Sequence, residues 1–457
     1  MKHVFGMICA AGLAWAPPAL AQDIQLTVAQ ARAIAHAALA NGDLKTAVLV
    51  SEAVVTERPE DAQTRVILAA SLIRAGHMKA GGAEARRAFG SAGGNRPLKH
   101  EAARLAALAA SQQGRQGVAK FWLRRASDFA SEQQEAQLRR DFDAVDRRDK
   151  WERAFSFTLA PSSNINGGAE SDVLEIDGVP SIGVLSGDAQ ALSGYRASVS
   201  ARLGYQLAGS ARSRTAISGQ YYGTFHKLTD EAQALAPTAT GSDFNYSIVA
   251  LDLTHVMLPE GAKGPYSFGL GTAKRWYGGD ELAHSASLSL GKAWRLGDGQ
   301  SFLGQLRYTR EWSDSDRALD AHQYALSGRY GARLGNGGRF QTGLTVTTSN
   351  SDGRSLDYTG QQLTLRYTTP DPLGAVHPTF GLDLGHKFYP DHVAGLTVVP
   401  GGRRDTSIGL TVDLVVSGAQ MMGFAPVVTL RAATTDSNVS RYETTDLSAG
   451  LSIRSSF

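Results

Sequence analysis

The sequence predicts a multidomain α + β chain: N-terminal α-helical repeats followed by a 14-stranded antiparallel transmembrane β-barrel. Three observations carry this. Near residue 150 the apolar pattern changes from helical spacing to alternation with period two, which continues to Phe457. The last run, Leu447-Ser448-Ala449-Gly450-Leu451-Ser452-Ile453-Arg454-Ser455-Ser456-Phe457, puts Leu447, Ala449, Leu451, Ile453 and Phe457 on one face and mostly polar residues on the other. That is a strand greasy outside and wet inside, closed by an aromatic. Finally, the connections between such runs are largely alternately short and long, with 277–280 and 313–317 as short exceptions, as in barrels with tight turns at one end and larger loops at the other.

Taken in order, Lys2, an apolar stretch from Val4 to Trp15, Pro17-Pro18 and the small-x-small Ala19-Leu20-Ala21 read as a secretory signal. Residues 1–21 are therefore expected to be removed, and the mature chain to begin near Gln22. The single cysteine, Cys9, lies inside that stretch, which leaves the mature chain no thiol for a disulfide, a thiolate metal site or a lipid anchor. Beyond it no segment approaches the roughly 18 uninterrupted apolar residues a membrane helix needs. A membrane-spanning chain must then cross as a barrel. The 50 glycines, 8% aromatic content and mean hydropathy of −0.19 suit strands that are half apolar and half polar.

Residues 22–150 are rich in Ala, Leu, Glu, Gln and Arg and have helical spacing throughout, with only Pro59 and Pro97 to interrupt it. Three turns share a pattern, Asn41-Gly42-Asp43, Ala75-Gly76-His77 and Gln113-Gly114-Arg115, with Gly42 to Gly76 spaced by 34 residues and Gly76 to Gly114 by 38. A helix-turn-helix period near 34 is the mark of tetratricopeptide (TPR-like) repeats, whose helix pairs bury their faces by stacking. Ala47, Ala69, Ala83 and Ala109 are the small residues expected to let helices approach. Such arrays present a groove suited to holding a protein segment. This region carries 20 Lys+Arg against 15 Asp+Glu, net +5, whereas residues 151–457 carry 25 against 28, net −3. Arg139-Arg140 and Arg147-Arg148 read as solvated helix faces, too sparse for a nucleic-acid partner.

Residues 151–457 contain fourteen expected strands, at 151–160, 192–208, 212–227, 243–257, 265–276, 281–295, 301–312, 318–334, 339–349, 355–369, 375–389, 404–416, 424–435 and 443–457. The second alternates best, with Arg196 and Arg202 among its inward residues. In the fourth, Asp252 and His255 interrupt the pattern and suggest a bulge. Trp151, Trp294, Phe302, Phe340, Phe424 and Phe457 at one set of strand ends, and Phe225, Trp276, Tyr277, Trp312, Phe388 and Tyr389 at the other, are expected to form interfacial girdles. An even strand number puts both barrel ends on the periplasmic side, and with them the helical domain.

No nucleophile elbow, phosphate-binding loop or His-Glu-x-x-His pair is present, so no catalytic residue, cofactor or metal is assigned. His386 and His392 flank a segment leading into a loop without a third ligand nearby, and read as solvated histidines. Asp314 and Asp316 resemble a calcium clamp only weakly.

Phe155-Ser156-Phe157-Thr158-Leu159-Ala160-Pro161-Ser162-Ser163-Asn164-Ile165-Asn166, then Ile176-Asp177-Gly178 and Leu192-Ser193-Gly194, resemble the barrel start of the surface lipoprotein assembly modulator (Slam) family. The resemblance extends to Arg404-Asp405, Gly423, Pro426, Ser437-Asn438 and the terminal Phe457. It implies helical repeats joined to a fourteen-stranded outer-membrane barrel, and a translocator of the type XI secretion class that moves surface lipoproteins or soluble secreted proteins to the cell surface. Expected partners are that client, outer-membrane lipid, the barrel assembly machinery and periplasmic chaperones. Inward Arg196, Arg202, Arg329, Arg333 and Arg454 are the candidate lumen-lining residues, either lining a path or filling the lumen in ion pairs. An exopolysaccharide exporter, and a passive porin with a periplasmic scaffold, are the competing readings.

Overall fold

The computed structural model describes residues 26–315, 319–416, 418–421 and 424–455. The expected signal, Asp316, Gly423 and Phe457 lie outside them. Among the described residues seven helices precede the first barrel strand: α1 Val28–Ala40, α2 Leu44–Glu57, α3 Ala62–Arg74, α4 Met78–Ser91, α5 Arg96–Gln112, α6 Gln116–Ser127 and α7 Glu132–Asp146. Each of the three glycine turns lies where one helix ends and the next begins. Gly42, Gly76 and Gly114 hold φ of 81°, 89° and 75°, a left-handed conformation that closes a helix at little cost only for glycine. After α1 the Asp43 N–H donates to the Ala38 carbonyl, and after α3 the His77 N–H donates to Leu72 in the same way, satisfying carbonyls the helix leaves free. Side-chain caps start α2, with Asp43 accepting from the Thr46 N–H, and α5, with Asn95 accepting from the Leu98 N–H, whereas α4 and α6 start on His77 and Arg115 without one.

The chain divides into two compact units, one ending at Gly114 and the other beginning at Arg115. In the first, α1 to α5 stack through small residues. Ala47, Ala69 and Ala109 are fully buried, and a Cβ on Gly81 would lie 2.6 Å from Ile73 Cγ1. Ala83 remains partly exposed, because glycines at 81 and 82 rather than Ala83 take the close contact. In the second unit α6 and α7 pack with the barrel, although helix gives way to strand only at Trp151.

The barrel strands are β1 Trp151–Ser162, β2 Gly194–Gly209, β3 Ser213–Leu228, β4 Tyr246–Met257, β5 Tyr266–Tyr277, β6 Asp280–Gly297, β7 Gln300–Ser313, β8 Ala321–Arg333, β9 Arg339–Ser351, β10 Tyr358–Thr368, β11 Val376–Tyr389, β12 Arg403–Val416, β13 Phe424–Ser437 and β14 Thr444–Ser455. Each pairs antiparallel with its neighbours and β1 pairs with β14, so the sheet closes. The fourteen expected strands are all there, with boundaries shifted by three residues or fewer over the described residues. The expected bulge in β4 is absent: β4 keeps an unbroken register with both neighbours. Asp252 has the inward parity, and outward His255 satisfies its ring through the Thr215 hydroxyl at 2.9 Å. Bulges fall instead in β2 at Gln206–Ala208, between β5 and β6 at Arg275–Trp276 and in β6 at Arg295–Gly297.

One end of the barrel carries α6, α7 and the tight turns; the other carries the larger loops. Those loops contain elements that alternation did not disclose: a hairpin of Val173–Ile176 and Val179–Val184, the short helix α8 Asp230–Leu235, and the pair Val393–Ala394 with Thr397–Val398. Two small apolar clusters fix them, one around Leu192, Leu228 and Ala232, the other around Ile176, Val399 and Val439.

Candidate functional site

The two faces of the barrel wall differ in kind. Outward positions are large, apolar and open to the surroundings around the whole ring, among them Phe155, Leu203, Ile217, Leu251, Leu270, Leu288, Leu306, Leu326, Leu344, Phe380, Leu410, Leu430 and Leu451, each at least 41% exposed. An uninterrupted belt of this size cannot face water in a stable monomer and is matched by hydrocarbon. Trp151, Trp294, Phe302, Phe225, Trp276 and Trp312 share its parity near the strand ends. Tyr277 and Tyr389 do not. Both have the inward parity, and Tyr389 is buried, so these two leave the expected girdle.

The inward face is built from the opposite parity, and the registers fix it strand by strand. Among the described residues it carries eight carboxylates, Glu152, Asp252, Asp280, Glu311, Asp383, Asp405, Asp413 and Asp446. Six of them pair with cations: Arg196–Asp446 at 3.5 Å, Arg202–Glu152 at 3.4 Å, Arg275–Glu311, Arg366–Asp383 at 2.9 Å, Arg403–Asp405 at 3.0 Å and Arg454–Asp413 at 3.0 Å. Eight further inward cations, Arg214, Arg295, Arg307, Arg329, Arg333, Arg339, Lys387 and Arg431, have no carboxylate partner among the described residues. The wall therefore holds 6 + 8 = 14 cations against 8 carboxylates, a balance of +6. Hydroxyl and amide side chains, notably Ser285, Ser287, Ser289, Gln305 and Gln323, line a polar recess of about 510 Å³ on the β2–β8 side.

The five arginines expected to line the lumen all have the inward parity, but they divide in two. Arg196, Arg202 and Arg454 are held in ion pairs; Arg329 and Arg333 are not. Arg196 also marks the closure of the sheet. Its Nη2 donates to the Ser162 hydroxyl at 3.0 Å and the Asn164 carbonyl at 3.2 Å, while Ser162 donates to Asp446 at 2.6 Å, joining β2, β1 and β14. That clasp sits on a short seam: β1 meets β14 from Thr158–Ser162 opposite Ser448–Ser452, whereas it meets β2 along its entire length. Outside the seam a lipid-facing apolar groove of about 600 Å³ is lined by Pro161, Tyr195, Leu410, Leu430, Leu447 and Ala449.

The residues carrying the family resemblance converge on the loop end. Asn164 is buried and closes its own turn, donating to the Gly168 carbonyl and accepting its N–H, both at 2.9 Å. Asn166 donates to the Asp188 and Gln190 carbonyls at 2.9 and 2.8 Å. Asp177 takes φ 52° ahead of Gly178 at the tip of the first hairpin, and Asn438 bonds it at 3.2 Å. The Arg404 N–H donates to the Asn438 side chain at 2.8 Å, and Asp405 accepts from Ser437 at 2.8 Å. Beside them Arg403 is 5% exposed, its guanidinium 3.8 Å and 3.6 Å from the ring centroids of Tyr389 and Tyr442. His392 lies within 3.5 Å of Arg403 and is 2% exposed, so it is not the solvated loop residue expected from sequence; the aromatic cage draws it in. Burial, then the Arg403 charge, hold its imidazole below the ordinary histidine value. His386 faces outward, 3.2 Å from the Thr406 hydroxyl, away from this cluster. Among the described residues no group of three His, Cys, Asp or Glu side chains is placed to hold a metal ion.

At the helix end, α6 and α7 form a hairpin fastened to the base of β1. Lys120 reaches Asp149 at 2.8 Å and Asp146 at 2.9 Å, and Arg153 reaches Asp149 at 3.1 Å. Burial pushes the Asp149 carboxyl up, but hydrogen bonds from Lys120 and the Trp151 N–H, with the charges of Lys120 and Arg153, outweigh it and hold it below the usual carboxylate value. Arg124 stacks on Phe142 and on Phe424, at 5.4 and 5.1 Å. A cavity of about 430 Å³ lies between this hairpin and the inner wall, lined by Glu135 and Arg139 on α7 and by Arg339, Thr368, His377 and Arg454 on the barrel. The fold and its two faces thus define a transmembrane β-barrel with a cationic lumen and a helical hairpin at one mouth.

No family model matches the chain, and no curated protein matches it. Solved structures similar to it include OpdK of Pseudomonas aeruginosa with vanillate, at 11% identity and TM-score 0.32 over 66% of this chain and 98% of that one. OprB of Pseudomonas putida is similar at 9% identity and TM-score 0.39, over 69% and 96%. A BenF-like porin from Pseudomonas fluorescens is similar at 11% identity and TM-score 0.34, over 66% and 99%. Likeness at this level identifies neither a family nor a cargo.

Proposed function

We propose that the chain is an outer-membrane translocator that delivers client proteins, surface lipoproteins or soluble secreted proteins, from the periplasm to the cell surface. In this reading the TPR-like helices of the first unit lie in the periplasm and hold the client, and the barrel supplies the route. The observation that supports it is the α6–α7 hairpin, packed as part of the barrel unit with Glu135 and Arg139 facing Arg339 and Arg454 at the mouth. A pore for freely diffusing solutes gains nothing from a fastened cover, whereas a conduit that opens for a delivered client does. The Slam resemblance points the same way.

A second reading, a porin with a periplasmic scaffold, draws on a different observation, the surplus of unpaired cations on the inner wall. A polysaccharide exporter gains little, since a sugar path favours carboxylates and aromatics and this wall is dominated by arginine. Co-expression with a secreted or lipidated product of a neighbouring gene distinguishes the first two. Export predicts that the product becomes sensitive to external protease only with this chain present. Protection unchanged by the chain, together with rapid uptake of small anions into proteoliposomes, would replace the translocator with the porin.

A further inference from the structure

Resting on the translocator reading, we infer that the polypeptide carried is acidic and is held extended by a ladder of arginines on the β7–β10 wall. The ladder begins at the helix end with Arg333 and Arg339, which stand directly opposite each other in the β8–β9 register. One row further in, level with Gly331 and Gln341, is Arg366. The next row carries Arg329 opposite Gly343, and two rows beyond it Arg307 lies level with Ala325. From Arg333 to the row of Ala325 the rise is about 27 Å at about 3.4 Å per residue, close to the thickness of a membrane core.

Among the described residues a carboxylate neutralises only Arg366 of these five, Asp383 at 2.9 Å through both oxygens. Two like charges directly opposite on one face of a sheet destabilise it, so the Arg333–Arg339 pair calls for an anion from elsewhere. The surplus is one-sided. Strands β5 to β11 hold eight inward cations and three carboxylates, 8 − 3 = +5, and the other seven strands hold six and five, 6 − 5 = +1. The spacing selects a polymer over a small anion. Successive rows lie about 7 Å apart, the repeat of same-face side chains along an extended chain. A lone carboxylate would engage one rung, while a strand-like peptide with acids at alternate positions engages several, each as a charge-assisted hydrogen bond.

The test uses the whole mature chain in planar bilayers, with an alternating Glu-Ser peptide, an alternating Lys-Ser peptide and acetate as probes. The acidic peptide is expected to interrupt the current with resolvable dwell times and the basic peptide to pass without them. R329Q/R333Q/R339Q should shorten those dwells at least about tenfold, R329K/R333K/R339K should restore most of them, and R214Q, on the other wall, should leave them as they are. Should the triple Gln variant fail to insert, R339Q alone must still shorten the dwell. Equal dwells for acidic and basic peptides, or wild-type dwells in the Gln variants, overturn the ladder; selective acetate permeation without peptide blockade assigns the wall to small anions instead. Normal dwells without client export in cells would leave the ladder standing and remove the translocator reading. Undiminished client export by the triple Gln variant would remove the ladder alone.

Discussion

Replacing Arg339 by Gln should stabilise the barrel while weakening its hold on anions, and the opposite signs make the experiment decisive. Arg333 and Arg339 occupy one register position on neighbouring strands, with the inward parity and no carboxylate partner among the described residues. With charges about 6.5 Å apart, the repulsion is about 2.5 kcal/mol at an effective dielectric of about 20 and about 0.6 kcal/mol at that of water. Both side chains are exposed, so the lower end applies, and cross-strand pairs of like charge fall in the same range of about 0.2–1 kcal/mol. R339Q should therefore raise the free energy of unfolding by about 0.5 kcal/mol in low salt. The gain should vanish near 1 M salt, where the screening length falls to about 3 Å. Equilibrium urea unfolding in lipid vesicles at both salt concentrations measures it. A destabilised R339Q, or a gain unchanged by salt, would refute the reasoning, since either result means the two guanidinium groups are already neutralised.

Three other expectations follow from separate parts of the molecule. Asp446→Ala removes the acceptor shared by Ser162 and Arg196, and should speed hydrogen exchange at the Thr158–Ser162 amides of the seam while leaving β2–β3 amides unchanged; equal change at both places would mean that the clasp has no local role. Because the Asp149 carboxyl is depressed in the fold, its contribution to anchoring α6–α7 is complete above the unfolded carboxylate value of 3.8 and is lost as pH falls through the lower folded value, so hairpin exchange should stay slow at pH 5 and rise only in stronger acid. His392 is also depressed, so the loop cluster is intact above 6.5 and loses stability as pH falls below that value, where the unfolded chain binds the proton that the buried ring resists; His392→Phe should remove that dependence, as followed by exchange in residues 393–399.

The barrel was legible because a lipid-facing strand states its own orientation. Leu203 beside Arg202, or Leu451 beside Ser452, discloses both the strand and its inner face, and turn residues mark where it stops. The helical turns were legible for a similar reason, since Gly42 and Gly76 occupy backbone conformations other residues resist. What alternation did not disclose lies where partners are distant in sequence. His392 looks like a solvated loop residue until β11, β12 and the last loop bring Tyr389, Arg403 and Tyr442 around it. Asn164 and Asn166 entered as residues of a family-like motif, and only the fold shows their side chains closing the first loop on backbone carbonyls. The packing of α6 and α7 with the barrel has no local signal, because their helical periodicity is the same as that of α1 to α5.

The charge of the lumen was hidden by summation. Residues 151–457 carry a net −3, which by itself describes a mildly acidic domain, yet the inner wall of the same residues stands at 14 − 8 = +6. The difference, −3 − 6 = −9, must then reside in the loops, the turns, the remaining strand ends and the outward face. Net charge is a property of the whole chain, but a passing solute meets only one face of it, and low-dielectric walls focus the field of that face. For a barrel the informative quantity is charge sorted by strand parity, which needs the register and cannot be taken from composition. Sorted this way, the acidic residues of β12 to β14 and β1 are nearly spent in holding Arg196, Arg202, Arg403 and Arg454, and the uncompensated arginines collect on β7 to β9. A wall that only needed filling would pair its charges all round. One that leaves most of them unpaired on one side, with Arg333 against Arg339, accepts a standing electrostatic cost that an arriving anion removes.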